Sequence, residues 1–368
     1  MKKLYCIVGA RPNFMKIAPI MRALREQAGS IKPILVHTGQ HYDEAMNDTF
    51  FEQLGIPSPD IHLDVGSGTH AAQTAEIMKR FEPVIRRDQP DAILVVGDVN
   101  STIACALVAA KLGVRVIHVE AGLRSNDRSM PEEINRILTD QLSEMLFITE
   151  RDAEQNLVRE GIDCNKIRFV GNVMIDTLLH NLEKTNIITD ILMRNNIGAE
   201  ITGDYGVITL HRPSNVDNAD VLGDLLKTLS DISINIPLFF PVHPRTAQKI
   251  KSANLEYILE SENIICTKPL AYLDLLGLMR KARLVLTDSG GIQEETTALG
   301  IPCITLRENT ERPITITDGT NTLAGIDRQK IMAAADDVII NGGKIGRVPE
   351  LWDGHAAERI VAELNDWL

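Results

Sequence analysis

Short, β-branched apolar runs alternate along this chain with helix-length amphipathic segments, and that rhythm leaves few architectures open. Leu4–Val8, Ala92–Val96 and Leu146–Ile148 are continuously apolar. Ile34–His37, Val116–Val119 and Ile167–Val170 are apolar but for His37, His118 and Arg168, and all six give way to Gly, Glu or Thr. A strand that is apolar on both faces must be buried on both faces, as in parallel sheets covered by helices. Between the runs lie helical patterns such as Pro12–Glu26, Ala71–Arg87, Ser101–Leu112, Pro131–Ser143 and Ala153–Glu160. Strand and helix in steady alternation predict an α/β fold with doubly wound parallel sheets.

The rhythm occurs twice. After a polar, weakly patterned stretch around Asn181 to Asp204 it restarts with Val207–Leu210, Leu238–Pro241, Ile264–Cys266, Leu284–Thr287 and Cys303–Leu306. At 368 residues the chain is too long for one ordinary core and comfortable for two. The expected organisation is a Rossmann-like domain over 1–172, a second over 173–354, and a terminal helix over 355–368. Ile360, Val361, Leu364 and Trp367 give that helix an apolar face, which suits packing on its own domain or a return to the first.

A net charge of -12 argues against nucleic acid or an anionic membrane as partner, because both need a basic face. No run approaches the ~20 apolar residues of a membrane span. Met1-Lys2-Lys3 before Leu4–Gly9 imitates a signal peptide, but the run is short and leads into Arg11, Pro12 and Lys16. Five scattered cysteines, odd in number and mostly in apolar runs, read as buried reduced thiols. The expectation is a cytoplasmic protein.

Open parallel sheets bind ligands beyond the carboxyl ends of their strands, so the polar residues there carry the functional information. After the first run, Gly9-Ala10-Arg11-Pro12 opens a helix whose N-terminus, with Arg11 and Lys16, suits an anion. No G-x-G-x-x-G follows any strand and no Walker-type loop is present, so no nicotinamide cofactor is expected. Asp98 follows the run ending at Val96, with Asn100 or Ser101 available to cap the next helix. Glu120 follows the next run, and Glu132 and Glu133 open the helix after it, where acids also suit the helix dipole. Three acids on adjacent loops look like proton-transfer equipment.

In the second half, His211-Arg212 and His243 end strands, favouring a phosphate or sugar contact; metal-ligand spacing is lacking. Ser289-Gly290-Gly291 precedes a helix, where backbone N–H groups can approach a phosphate. An acid in that helix's first turn fits a ribose, and Arg312 adds a cation after the following strand.

In their order along the chain, these segments resemble the non-hydrolysing UDP-N-acetylglucosamine 2-epimerases, a family with the two-domain glycosyltransferase-B fold. The matching stretches are Gly9–Lys16, Thr38–His41, Gly97–Thr102, His118–Arg124, Pro131–Arg136, His211-Arg212, Pro241–Pro244, Asp288–Glu295 and Glu311–Pro313. The resemblance implies that Arg11, His211, Ser289, Gly290 and Gly291 hold a diphosphate and that Glu295 binds ribose hydroxyls. Lys16 and Arg312 would lie near the sugar and its phosphate. Asp98, Glu120 and Glu132 match the family's catalytic carboxylates, with His211 and Lys16 beside them in the reaction. It implies reversible C2 epimerisation of a UDP-linked N-acetyl sugar, without cofactor or metal, in a homodimer. A second, activating site would use Gln40, His41, Arg212 and His243, but Asp43 stands where some members carry Gln. His211-Arg212-Pro213-Ser214-Asn215 also departs from the family's usual His-Arg-Arg-Glu-Asn.

The competing readings are a related epimerase for UDP-diacetamido-glucuronic acid, a hydrolysing relative, a glycosyltransferase of the same fold, and a non-catalytic nucleotide-sugar sensor. The last two have no use for Asp98, Glu120 and Glu132 together.

Overall fold

The structure, a computed structural model, describes residues 1–27, 29–39, 51, 54–185, 188–194, 203–261 and 263–368. The chain divides into two compact units, Met1–His180 with Glu350–Leu368, and Asn181–Pro349.

The first unit is built on a seven-stranded sheet: β1 (Lys2–Val8), β2 (Ile31–His37), β3 (Ile61–His62), β4 (Ala92–Val96), β5 (Arg115–Val119), β6 (Met145–Ile148) and β7 (Ile167–Phe169). Their order is β3-β2-β1-β4-β5-β6-β7, with every neighbouring pair parallel. Leu4 to Val8 and all of β4 are buried, as continuous apolar runs require. Tyr5, Ile7, Ile93 and Val95 pack with Ile77, Phe81 and Ile85 of helix His70–Asp88. Each such side chain contributes roughly 1.5–3 kcal/mol by leaving water.

The second unit has β8 (Gly206–Thr209), β9 (Leu238–Pro241), β10 (Ile264–Thr267), β11 (Leu284–Thr287), β12 (Cys303–Thr305) and β13 (Asn321–Leu323). These run in the order β10-β9-β8-β11-β12-β13, again parallel throughout. Ile208, Phe240, Leu286 and Ile304 join Leu222, Leu226 and Leu229 of helix Ala219–Ser233 in its core. Chain order reverses between β1 and β4 in one sheet and between β8 and β11 in the other. At such switch points the loops part and leave a crevice at the strands' carboxyl ends.

Helix Ala356–Trp367 belongs to the first unit and packs against helix Arg11–Glu26. Its first turn is capped from a distance, the N–H groups of Ala356 and Ala357 donating to the Asp176 carboxylate at 3.1 and 2.7 Å. Cys6, Cys105 and Cys303 are buried, whereas Cys164 and Cys266 are exposed. Among the described residues, no helix is long and apolar enough to cross a membrane.

Candidate active site

The loop after β1 is tied to the end of β4 by Asn13. Its side-chain oxygen accepts from the N–H groups of Gly9 and Ala10, each at 3.2 Å, and its amide donates to the Val96 carbonyl at 2.8 Å. Gly9 serves close packing: a Cβ there would run into the Ser101 hydroxyl and lie 2.7 Å from that of Thr38. Arg11 is the first residue of helix Arg11–Glu26. One turn on, Lys16 is buried and ion-paired with buried Glu120. A buried pair like this adds little net stability, so it is informative mainly as two charges held in place. Glu120 has φ +74, a left-handed conformation that costs a non-glycine residue of order 1–3 kcal/mol. Gly97 makes room for the pair: with φ +66, its Cβ would lie 2.7 Å from Lys16 Nζ and 3.1 Å from Glu120 Oε2.

Asp98 is ion-paired with Arg136 of helix Pro131–Leu142, and Asn135 of the same helix donates to the Asp98 carbonyl at 2.8 Å. Arg136 also holds Glu133 at 2.8 Å, and Glu133 accepts from the N–H groups of Ser125 and Asn126 at 3.0 and 2.9 Å. Glu133 therefore pins the loop entering the helix. Its neighbour Glu132 lies half-buried in the first turn. The expected cap from Asn100 or Ser101 is not what the structure has: Val99 is the N-cap of helix Asn100–Lys111, without a side-chain bond. Both residues instead face inward, Asn100 donating to Gln73 at 2.8 Å and Ser101 sharing a hydrogen bond with Thr38 at 2.7 Å.

In the second unit the corresponding switch point brings His211, after β8, to Asp288, after β11. Fully buried Asp288 accepts from the N–H groups of His211 and Arg212 at 3.0 and 2.9 Å and from Asn215 at 3.2 Å. It also lies 3.0 Å from Nδ1 of His211. Burial alone would raise the Asp288 carboxyl, but the His211 ring and these N–H donors bring it below its ordinary value. The ionised carboxylate keeps a proton on Nδ1 of His211, which leaves Nε2 for another partner. Helix Gly290–Leu299 begins after half-buried Ser289, without a side-chain cap. Its first four N–H groups and dipole favour an anion. A Cβ at Gly290 would strike the Glu311 carboxylate. Burial would raise Glu311, yet Arg307, Arg312 and Arg212 outweigh it and hold that carboxyl well below the usual range. Arg312 is buried, 3.1 Å from Glu294. Glu295 is fully enclosed; burial, reinforced by Glu294, pushes its carboxyl up to about 8 despite a hydrogen bond from Tyr272 at 3.1 Å.

The site residues foreseen in sequence thus fall into two groups. Lys16, Asp98, Glu120 and Glu132 stand at or beside the carboxyl edge of the first sheet, and His211, Ser289, Gly290, Gly291 and Arg312 at that of the second. Glu295 lies farther along helix Gly290–Leu299, whose first turn holds no acid, contrary to the expectation from sequence, because the helix starts only at Gly290. Of the residues assigned to a second site, Arg212 pairs at 3.7 Å with Glu311. His243 caps helix Pro244–Ser252, its ring 5.5 Å from that of His211. Gln40, His41 and Asp43 lie outside the described residues. Asn13, Arg136 and Asp288, which the sequence did not single out, hold the candidate segments in place, each through a partner tens of residues away. No group of His, Cys, Asp and Glu among the described residues could hold a metal ion.

Two parallel-sheet units with polar groups gathered at their switch points give the chain a glycosyltransferase-B-like α/β fold. The sequence profile of the UDP-N-acetylglucosamine 2-epimerase family matches residues 22–365, and the chain belongs to that family of isomerases. It is 43% identical to the UDP-N-acetylglucosamine 2-epimerase of Methanocaldococcus jannaschii over 99% of both chains. It is 41% identical to the UDP-2,3-diacetamido-2,3-dideoxy-D-glucuronate 2-epimerase of Pseudomonas aeruginosa over 98% of both. A crystal structure of the M. jannaschii UDP-GlcNAc 2-epimerase in complex with UDP-GlcNAc and UDP superposes with a TM-score of 0.90, at 42% identity over 99% of each chain.

Proposed function

We propose that this chain interconverts UDP-N-acetylglucosamine and UDP-N-acetylmannosamine by eliminating UDP to 2-acetamidoglucal and adding it back. The observation that carries the reading is the set of carboxylates at the first sheet's switch point, with Glu120 held against Lys16 and Asp98 against Arg136. C2 of the sugar bears no carbonyl, so its hydrogen is hardly acidic and a free carbanion is too costly. Loss of that proton to a carboxylate as the C1–O bond breaks forms the C1–C2 double bond, and the electron pair leaves on UDP. Return of a proton to the opposite face, with UDP rejoining C1, completes the inversion. Positioned acids and bases typically supply ~10²–10⁴-fold each, and Asp98, Glu120 and Glu132 are assigned this work.

Departure of UDP is eased where its negative charge is met. In this reading Arg11, His211, Ser289 and the helix start at Gly290-Gly291 hold the diphosphate, Arg312 and Lys16 lie beside the phosphate and sugar, and Glu295 takes the ribose hydroxyls. Support for the nucleotide end comes from the Asp288-held tautomer of His211 and the uncapped helix N-terminus.

Incubation with UDP-N-acetylglucosamine alone tests the proposal, since transfer needs an acceptor and a sensor converts nothing. UDP-N-acetylmannosamine should appear. Free N-acetylmannosamine would indicate a hydrolase, and an unchanged substrate would refute the reading. The Pseudomonas relative favours a second substrate, UDP-2,3-diacetamido-2,3-dideoxy-D-glucuronate. The two are separated by comparing kcat/KM, which should favour the uncarboxylated sugar.

A further inference from the structure

His118, the penultimate residue of β5, is completely buried and makes two hydrogen bonds, one from each ring nitrogen. Nε2 lies 2.9 Å from the carbonyl oxygen of Gly97, and Nδ1 lies 2.6 Å from the carboxylate of Asp140. A carbonyl can only accept, so Nε2 must carry a proton. The proton between Nδ1 and Asp140 then belongs either to an imidazolium or to a neutral carboxylic acid. Asp140 settles the choice, because its other oxygen accepts from Arg124 at 2.7 Å and from the Gly122 N–H at 3.1 Å. Two donors, one of them a buried guanidinium, stabilise the carboxylate, so the ring bears both protons. Arg124 also bonds Glu160 at 2.8 and 2.6 Å, so two cations meet two anions and the cluster is balanced.

The placement of this cluster matters more than its charge. Gly97 directly precedes Asp98, His118 stands two residues before Glu120, and Asp140 lies on the helix whose first turn carries Glu132. One imidazolium therefore joins the three segments that carry the three acids. We propose that doubly protonated His118 is a positioning residue for the epimerisation, holding the Asp98, Glu120 and Glu132 segments in register from beneath the sheet edge. The assignment rests on the epimerase reading for its kinetic consequence, but not for its protonation state.

Two measurements test it on the full-length protein. NMR of protein labelled with ring-¹⁵N histidine should show directly bonded protons on both nitrogens of His118, one of nine histidines. An unprotonated ring nitrogen there would overturn the proposal. His118→Phe, which keeps a buried ring without donors, should lower kcat by roughly 10–10²-fold, the scale of a misplacement near 1 Å. KM for the UDP-sugar should stay within about twofold, since the assigned nucleotide contacts lie elsewhere. A folded His118→Phe protein with wild-type kcat, or one in which KM alone rises, would also overturn it. Should that variant fail to fold, Asp140→Asn takes its place with the same expected split. Wild-type protein inert towards UDP-sugars would refute the epimerase reading alone, because the NMR readout needs no substrate.

Discussion

Replacing Glu295 with glutamine should make the protein more resistant to alkaline conditions while harming nucleotide binding. The carboxyl is fully buried on helix Gly290–Leu299, and burial raises it from an ordinary 4.5 to about 8. A group that holds its proton more tightly in the folded than in the unfolded state favours folding fully below the unfolded value. That contribution is lost as pH rises through the folded value. At 1.36 kcal/mol per unit, the cost of keeping Glu295 in place is under about 1 kcal/mol at pH 5 and on the order of 4 kcal/mol at pH 8. Glutamine has nearly the same shape, can still accept from Tyr272, and does not titrate. The stability difference between variant and wild type should therefore shift by roughly 3 kcal/mol in the variant's favour between pH 5 and pH 8. For a unit of this size that is a relative gain in Tm on the order of 6–12 °C. Any constant cost of the new amide drops out when the two pH values are compared. Thermal melts of both proteins at pH 5, 6.5 and 8, without nucleotide, provide the readout. Parallel curves for the two proteins across that range would show that Glu295 is not a raised, buried acid and would refute the reasoning.

Asp98→Asn, Glu120→Gln and Glu132→Gln should each lose roughly 10²-fold or more in kcat with UDP affinity largely kept; near-normal turnover in all three would make these acids structural. Gly97→Ala forces a side chain into a left-handed backbone at about 1–2 kcal/mol and into the space of the Lys16–Glu120 pair. Both Tm and kcat should fall, and an alanine variant with wild-type turnover would dissociate the pair from catalysis. For activation, if the second site implied by the family resemblance exists, the anion Asp43 in place of Gln would disfavour a second diphosphate, by ~1 kcal/mol or more for charges a few Å apart. Pure UDP-N-acetylmannosamine should then be converted without a lag, and an absolute need for trace UDP-N-acetylglucosamine would show that Asp43 does not block the second site.

The fold was legible because its central strands are largely apolar on both faces: β1, β4 and β11 can be read directly as buried parallel strands, and β5 can despite His118. The edge strands β3 and β13 were not, being only two and three residues long and too short to carry a pattern. At the site, residue type and strand-end position pointed to candidate acids and cations, but partners were hidden. Arg136 lies 38 residues from Asp98, Asp140 lies 22 from His118, and Asp288 lies 77 from His211. Spacing along a chain does not encode such pairings; the sheet order creates them. The same limit explains Asn100, whose cap-like position after β4 concealed an inward hydrogen bond to Gln73. It also explains Glu132 and Glu133, whose identical chemistry in one helical turn is divided only by the loop that Glu133 holds.

Proton exchange at C2 reads the central claim most directly. Wild-type enzyme incubated with UDP-N-acetylglucosamine in D₂O and followed by proton NMR should yield UDP-N-acetylmannosamine carrying deuterium at C2, without added nicotinamide or metal. UDP-N-acetylmannosamine that retains its original hydrogen at C2 would contradict elimination and re-addition.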